Sequence, residues 1–125
     1  MPVYNAARYV VAAIHSILRQ TFQNFEFLII DDGSTDGSGE LVRSVLDSRL
    51  RLLHYPRNRG RVAVLNHGIA IARGEYIARM DADDLAEPSR IATQLSTLSR
   101  DSNLGLVGSW AKVINEQDRI IDRYR

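Results

Sequence analysis

Cysteine is missing from this sequence of 125 residues, which excludes disulfide bonds, a thiolate-bound metal and a cysteine nucleophile. A charge excess of either sign is missing too, because 16 basic and 15 acidic residues leave a net charge of +1. Such a balance does not indicate a nucleic-acid-binding surface, and we expect no nucleic-acid partner. Lysine occurs once, as Lys112, and we attribute the excess of arginine to a GC-rich coding bias rather than to phosphate recognition.

Long hydrophobic runs are also missing. Stretches such as residues 27–30 are far shorter than the ~20 apolar residues of a membrane-spanning helix, and no signal-peptide-like region follows Met1. The sequence therefore predicts a soluble, cytoplasmic protein. What is present suits one domain over residues 1–125, since 45% of the residues are hydrophobic. A chain of this length buries about two-thirds of the surface that its unfolded form exposes.

Helical and strand patterns alternate along the chain. Apolar residues spaced by three or four predict amphipathic helices, and short apolar runs bounded by turn residues predict buried strands. The predicted helices cover residues 7–19, the region of Leu41, Val42, Val45 and Leu46, residues 62–72 before Gly74, and a segment opened by Pro88 that carries Ile91, Leu95 and Leu98. The predicted strands cover residues 25–30, 50–55 and 76–80, with further candidates at 104–107, 112–114 and 120–121. This alternation predicts an α/β domain with a largely parallel sheet.

Acidic residues follow two of these strands: "DDGS" begins at Asp31, and "DADD" begins at Asp81. Right-handed crossovers bring the carboxyl ends of parallel strands to one edge of the sheet, where ligands bind. We therefore expect both segments in one crevice. Asp81 and Asp83, separated by one residue, are typical of a site for Mg²⁺ or Mn²⁺ that substrate phosphates and water complete. The alternative is a solvent-exposed acidic turn, and the position after a buried strand favours the metal.

Four motifs follow one another along the chain: "PVYN" from Pro2, "QTFQNFEFLIIDDGSTD" from Gln20, "N-x-G-x-x-x-x-L-N-x-G" from Asn58 and "GEYIARMDADD" from Gly74. Together, over nearly the whole chain, they resemble the family 2 glycosyltransferases with the GT-A fold. The resemblance implies a Rossmann-like, three-layer α/β sandwich with a mostly parallel sheet. It also implies transfer of a sugar from a nucleotide-sugar donor, with UDP the commonest nucleotide, to a saccharide or lipid-linked acceptor. The transfer in that family is usually inverting and uses Mg²⁺ or Mn²⁺.

The resemblance places the nucleotide base at the first two motifs. Tyr4 would be the platform on which the base stacks, in a loop shaped by Pro2 and Asn5, and stacking on tyrosine is worth ~1–3 kcal/mol. The alternative is that Tyr4 packs in the core. Asp32 would accept a hydrogen bond from the edge of the base, whereas Asp31 is the residue that we expect to cap the following loop amides.

The last motif would serve the ribose, the diphosphate and the metal. Asp81 would reach the ribose or the metal, Asp83 would ligate the metal, and Ala82 lies between them at the nucleotide. Asp84 either supports the metal ligands or caps the turn before the next helix. For Arg61 we prefer a solvated surface residue over a phosphate contact. The histidines show no ligand spacing and are interpreted as structural or surface residues: His15, His54 and His67.

The chain departs from the family pattern at both ends. Family members usually have a central hydrophobic strand ahead of the first motif, so a chain that starts at Met1 is expected to leave two unpaired edges, at 25–30 and 76–80. Such edges predict self-association. The acceptor-binding part and the general base of the family lie beyond Arg125, so we expect an incomplete, donor-binding half. For the full-length protein the resemblance implies surface polysaccharide synthesis and peripheral association with the cytoplasmic face of the membrane.

Two other functions remain open on the sequence. The first is a non-catalytic fragment that binds a nucleotide-sugar. The second is a receiver-type phosphoacceptor domain, which has a similar length and acidic strand ends. Against a receiver, the pair Asp31 and Asp32 follows a full helix instead of the first strand, and Lys112 lies inside a predicted strand instead of at a strand end.

Overall fold

The structure, a computed structural model, describes residues 1–117 and 119–124, and five strands and four helices form within them. In chain order they are β1 (Pro2–Val3), α1 (Val10–Leu18), β2 (Phe27–Asp31), α2 (Ser38–Ser44), β3 (Leu50–His54), α3 (Arg61–Ile71), α4 (Arg90–Arg100), β4 (Ala111–Ile114) and β5 (Ile120–Tyr124). The predicted alternation of helices and strands up to the end of α3 is confirmed.

The first three strands form a parallel sheet in the order β1-β2-β3. Pro2 pairs with Ile30, and Phe27 pairs with Leu50, so all three strands run in one direction and end at one edge. The predicted α/β class with a parallel sheet is therefore correct. Because the strands end together, the loops that follow them are neighbours in space.

Helices cover both faces of this sheet. On one face Ile29 of β2 and Val42 of α2 pack against a stripe of α1, and on the other face Ile30 packs with Val64 of α3 and with Tyr55. Burial on both faces explains why β2 is continuously apolar instead of alternating. The stripe of α1 has the spacing of one helix face: Val10, Ala13, Ile14 and Ile17.

Two of the predicted strands do not form. In the described part of the chain, residues 76–80 belong to none of the ladders, Tyr76 and Ile77 are exposed, and Met80 is buried. An extended segment is stable as a strand only when a neighbour satisfies its backbone groups, and β1, the expected neighbour, is two residues long. The candidate strand at 104–107 also does not form, and Leu104 and Leu106 are exposed.

The expectation that the edge of β2 would be left unpaired is wrong as well. Met1 N donates to Leu28 O at 2.8 Å, and Ile30 N donates to Met1 O at 3.0 Å. Farther along, Asp32 N donates to Val3 O at 2.8 Å. Residues 1–3 therefore satisfy the backbone groups of β2 that we expected to be unpaired. Self-association of the chain stays a prediction.

The helices are short. The longest in the described residues, α3 and α4, have 11 residues each, so none of them is long enough to cross a membrane. Helix α2 ends at Ser44 because Val45 turns into an extended conformation. Leu46, which the pattern placed on the apolar face of this helix, consequently lies outside it and is 95% exposed.

The strands predicted near the end of the chain are confirmed as β4 and β5, which form an antiparallel hairpin. Among the described residues, two ion pairs join this hairpin to the rest of the molecule. Arg8 Nη1 lies 3.0 Å from Glu116 Oε1, and Lys112 Nζ lies 3.0 Å from Glu87 Oε1.

Candidate functional site

A cleft of about 400 Å³ opens at the edge where β1 and β2 end. Four segments line it: the loop after β1, the carboxyl end of β2, the loop that leads into α3 with the first residues of that helix, and residues 81–83. The two acidic segments therefore lie in one crevice, as expected, although residues 76–80 before the second segment form no strand. All residues that the sequence assigned to the nucleotide or the metal line this cleft: Pro2, Tyr4, Asn5, Asp32, Asp81, Ala82 and Asp83.

Tyr4 lies on the loop after β1, which is hydrogen-bonded to the loop after β2. Tyr4 is 51% exposed, so the alternative in which it packs in the core is wrong. The loop turns at Asn5, whose φ of 49° lies in the left-handed region. Asn5 N donates to Ser34 Oγ at 3.0 Å, and Asn5 Oδ1 accepts from Thr35 N at 2.9 Å. Asn5 therefore ties the loop after β1 to the loop after β2.

Asp31 is completely buried and organises the loop behind it. Its Oδ1 accepts from Ser34 N at 3.0 Å, which confirms that Asp31 caps the following amides, and its Oδ2 lies 2.9 Å from His54 Nδ1. Burial alone raises the pKa of the Asp31 carboxyl, but the hydrogen bonds from Ser34 and His54 outweigh burial and hold this pKa below its usual value. His54 thus has the structural part that the sequence suggested.

Asp32 is 3% exposed and holds the loop that leads into α3. Its Oδ1 accepts from Arg59 N at 2.8 Å, and its Oδ2 accepts from Gly60 N at 3.0 Å. Sequence reasoning missed this contact, for which the glycine of the third motif was the available signal, since Gly60 has a φ of 89°. Each carboxylate oxygen keeps a second lone pair, so the hydrogen bond to a base stays a prediction.

Two arginines bind the carboxylate of Asp81. Arg61 Nη2 lies 3.3 Å from Oδ1 and 3.0 Å from Oδ2, and Arg79 Nη2 lies 3.0 and 2.9 Å from the same atoms. The exposed side chain of Arg61 agrees with our preference for a surface residue, and the structure adds that this side chain lines the cleft and has a carboxylate partner there. No pattern in the sequence singles out Arg79.

Asp83 and Asp84 add negative charge beside Asp81. Partial burial of its carboxyl raises the pKa of Asp84, and the charges of Asp83 and Asp81 raise it further. Within the described residues no three His, Cys, Asp or Glu side chains are placed to hold a metal ion. Mg²⁺ commonly takes one or two carboxylates and completes its shell with phosphate oxygens and water. Asp81 and Asp83 therefore do not form a metal cage of their own with other described residues, and a cation held by them would need further oxygens from a diphosphate and from water.

The family model described as Glycosyl transferase family 2 matches residues 1–125. The chain belongs to this family. It is 42% identical over 95 residues to glycosyltransferase GlyG of Streptococcus pneumoniae serotype 4, a match that covers 74% of the chain and 32% of GlyG. It is 35% identical over 119 residues to the putative glycosyltransferase EpsE of Bacillus subtilis, covering 93% of the chain and 43% of EpsE. The chain thus spans less than half the length of these relatives.

Solved structures of the S. aureus protein TarS share the fold. TarS 1-349 matches with a TM-score of 0.71 at 26% identity, over 79% of this chain and 31% of that one. TarS 1-349 in complex with UDP-GlcNAc matches with a TM-score of 0.68 at 25% identity, over 79% and 30%. The GT-A fold and the family 2 assignment that the four motifs implied are confirmed. The receiver-type alternative is wrong, and Lys112, the lysine that it requires, pairs with Glu87 at the hairpin.

Proposed function

We propose that the cleft binds a nucleotide-sugar donor together with Mg²⁺ or Mn²⁺, and that this chain is the donor-binding part of a glycosyltransferase. The observation that carries the proposal is the convergence, in one cleft, of the seven residues that the motifs assign to nucleotide and metal. UDP is the nucleotide that we favour, because the similar protein TarS has been crystallised with UDP-GlcNAc.

The lining of the cleft offers two kinds of chemistry. The half-exposed ring of Tyr4 offers a face on which a base can stack, and Asp32 offers a carboxylate that can accept a hydrogen bond. Asp81, Asp83 and Arg61 supply opposite charges, which suits a metal and a diphosphate. We therefore assign Tyr4 and Asp32 to the base, and Asp81 and Asp83 to the ribose, the diphosphate and the metal.

A bound divalent cation would supply Lewis-acid neutralisation of the departing diphosphate. The residues of this chain hold and orient the donor. In the transfer an acceptor oxygen forms a bond to the anomeric carbon, the bond from that carbon to the diphosphate oxygen breaks, and the acceptor proton passes to a base outside the donor cleft. We assign no residue of the described chain to that base.

For the whole protein we propose an inverting transfer to a saccharide or lipid-linked acceptor, in surface polysaccharide synthesis at the cytoplasmic face of the membrane. The support for these finer points is family membership alone. The alternative function is a chain that binds the donor without transferring the sugar. Release of UDP from UDP-GlcNAc, in the presence of saccharide acceptors, distinguishes the two.

The direct test is calorimetric titration of the chain with UDP, with and without Mn²⁺. We expect binding that is markedly tighter with Mn²⁺, and equal or weaker binding of AMP as a control nucleotide with one phosphate. Absence of UDP binding in the presence of Mn²⁺ would overturn the proposal. Binding that is independent of Mn²⁺ would overturn its metal part alone.

A further inference from the structure

The loop that carries Tyr4 is held by side chains of residues 33–38, the "GSTDGS" segment. Three consecutive amides of residues 5–7 each donate to a different side-chain oxygen. Asn5 N donates to Ser34 Oγ at 3.0 Å, Ala6 N donates to Ser38 Oγ at 2.9 Å, and Ala7 N donates to Asp36 Oδ2 at 2.9 Å. These bonds span 29 to 32 positions of sequence. They are therefore tertiary contacts that lock one loop onto another.

The acceptors of this contact are themselves organised. The hydroxyl of Ser38, a completely buried residue, donates to Asp36 Oδ1 at 2.5 Å, and Ser38 N donates to the same oxygen at 3.0 Å. The hydrogen bonds from Ser38 and from the amide of Ala7 hold the pKa of Asp36 below its ordinary value, so Asp36 accepts as a carboxylate at neutral pH. A further hydrogen bond joins the two loops in the opposite direction, from Thr35 N to Asn5 Oδ1 at 2.9 Å.

Tyr4 depends on this support because its own ring is half exposed and gains little from packing. Asn5, the next residue, is held in the left-handed region, a conformation that persists in a non-glycine residue when its surroundings impose it. A ring that is already in place loses less freedom when a ligand stacks on it, and binding is tighter by that amount.

We propose that Ser34, Asp36 and Ser38 are positioning residues for the nucleoside end of the cleft, which act by fixing residues 5–7 so that the ring of Tyr4 faces the base. The inference rests on the proposed function, in which the cleft binds a nucleotide. It goes further by assigning to the "GSTDGS" segment an effect on the base and none on the diphosphate.

The test is a double-mutant cycle with two ligands. Asp36→Ala, Tyr4→Ala and the double variant are titrated with UDP and with pyrophosphate, each with Mn²⁺, beside Asp101→Ala, in which an exposed aspartate that bonds Asn103 is removed. We expect Asp36→Ala to weaken UDP roughly fivefold and pyrophosphate less than twofold, as the loss of one or two hydrogen bonds to a loop allows. In the Tyr4→Ala background the effect of Asp36→Ala should disappear, and Asp101→Ala should change neither ligand.

A merely structural role gives another result. Equal weakening of UDP and pyrophosphate, or the same effect of Asp36→Ala with and without Tyr4, overturns the inference. Ser34→Ala, which removes a single acceptor, is measured in parallel and decides the question if Asp36→Ala lowers the melting temperature strongly. A wild-type chain that does not bind UDP with Mn²⁺ overturns the proposed function instead, and Tyr4→Ala without effect on UDP overturns the base platform.

Discussion

Arg61 Nη2 lies 3.0 Å from Asp81 Oδ2, and this ion pair joins the start of α3 to the acidic turn across the cleft. Arg79 Nη2 binds the same carboxylate oxygen at 2.9 Å. Both guanidinium groups are more than half exposed, so solvent screens the attraction and the pairs contribute little to stability. We therefore expect a divalent cation that arrives with a diphosphate to displace them, and we expect its binding to depend on Asp83 as well as on Asp81.

Asp83→Ala tests this dependence. Its affinity for UDP in Mn²⁺ should fall to the affinity measured without metal, because the cation that neutralises the diphosphate loses a ligand. Calorimetry with and without Mn²⁺ measures the difference, with Asp101→Ala as the matched control. Unchanged Mn²⁺-dependent binding of UDP in Asp83→Ala would overturn the assignment of Asp83 as a metal ligand.

Tyr4 is tested by changing its ring and its hydroxyl separately. Tyr4→Ala should lose about 1–3 kcal/mol of UDP binding, or roughly 5- to 150-fold in affinity, because the stacking face is gone. Tyr4→Phe keeps that face and should bind UDP within about twofold of wild type. Pyrophosphate with Mn²⁺ should bind all three proteins alike. An equal loss of UDP and pyrophosphate in Tyr4→Ala would place this residue at the wrong end of the nucleotide.

Asp32→Ala should weaken UDP and also release the loop before α3. The carboxylate accepts from the amides of Arg59 and Gly60, and an amide without its acceptor exchanges its hydrogen faster. Gly60 N also donates to Asn58 Oδ1 at 2.9 Å, so the amide of Arg59 is the decisive one. Hydrogen exchange at the amide of Arg59 should accelerate by about tenfold or more, which corresponds to the loss of one hydrogen bond. The amide of Ser34, which donates to Asp31 Oδ1, is the internal control and should keep its exchange rate. Unchanged exchange at Arg59 argues against the contact.

Gly33 and Gly37 form a matched pair for backbone strain. Both have positive φ, 74° and 91°, so alanine at either position should cost about 1–3 kcal/mol. At Gly33 a Cβ would also lie 2.6 Å from the carbonyl carbon of Arg57, whereas at Gly37 it would meet nothing within 4 Å. Gly33→Ala should therefore lower the free energy of unfolding by clearly more than Gly37→Ala. Urea denaturation measures the free energy of unfolding of both variants. An equal loss in the two would contradict the close approach of Gly33 to Arg57.

Asp47 links stability to pH. Hydrogen bonds from the Arg49 side chain lower the pKa of Asp47 from its ordinary 3.8 to about 2. A lowered pKa in the folded state means that the pair stabilises the fold above pH 3.8, and that this contribution is lost as the pH falls towards 2. Asp47→Asn should therefore melt at a lower temperature than wild type at pH 7 and approach wild type near pH 2. A difference in melting temperature that does not change with pH would refute the ion-pair explanation.

Local patterns were sufficient for much of the fold. The spacing of Val10, Ala13, Ile14 and Ile17 predicts α1, because one face of a helix repeats every three or four residues. The run at residues 27–30 predicts β2, because a strand covered on both faces is apolar at every position. The same reasoning placed Asp32 at the edge of the sheet where the parallel strands end. Asp81 also lines the cleft at this edge, although residues 76–80, which it follows, form no strand.

The sequence by itself therefore determined the four helices, the strands β2 to β5 and their order, and its motifs indicated residues that share the cleft. Only the tertiary structure decided that residues 76–80 form no strand, because a strand needs a neighbour long enough to satisfy its amides. It also decided the partners of the carboxylates: Asp32 binds amides 27 and 28 positions away, and Asp81 binds Arg61 20 positions away. Such contacts depend on where the folded chain brings distant segments together, and the local periods of helices and strands carry no information about them.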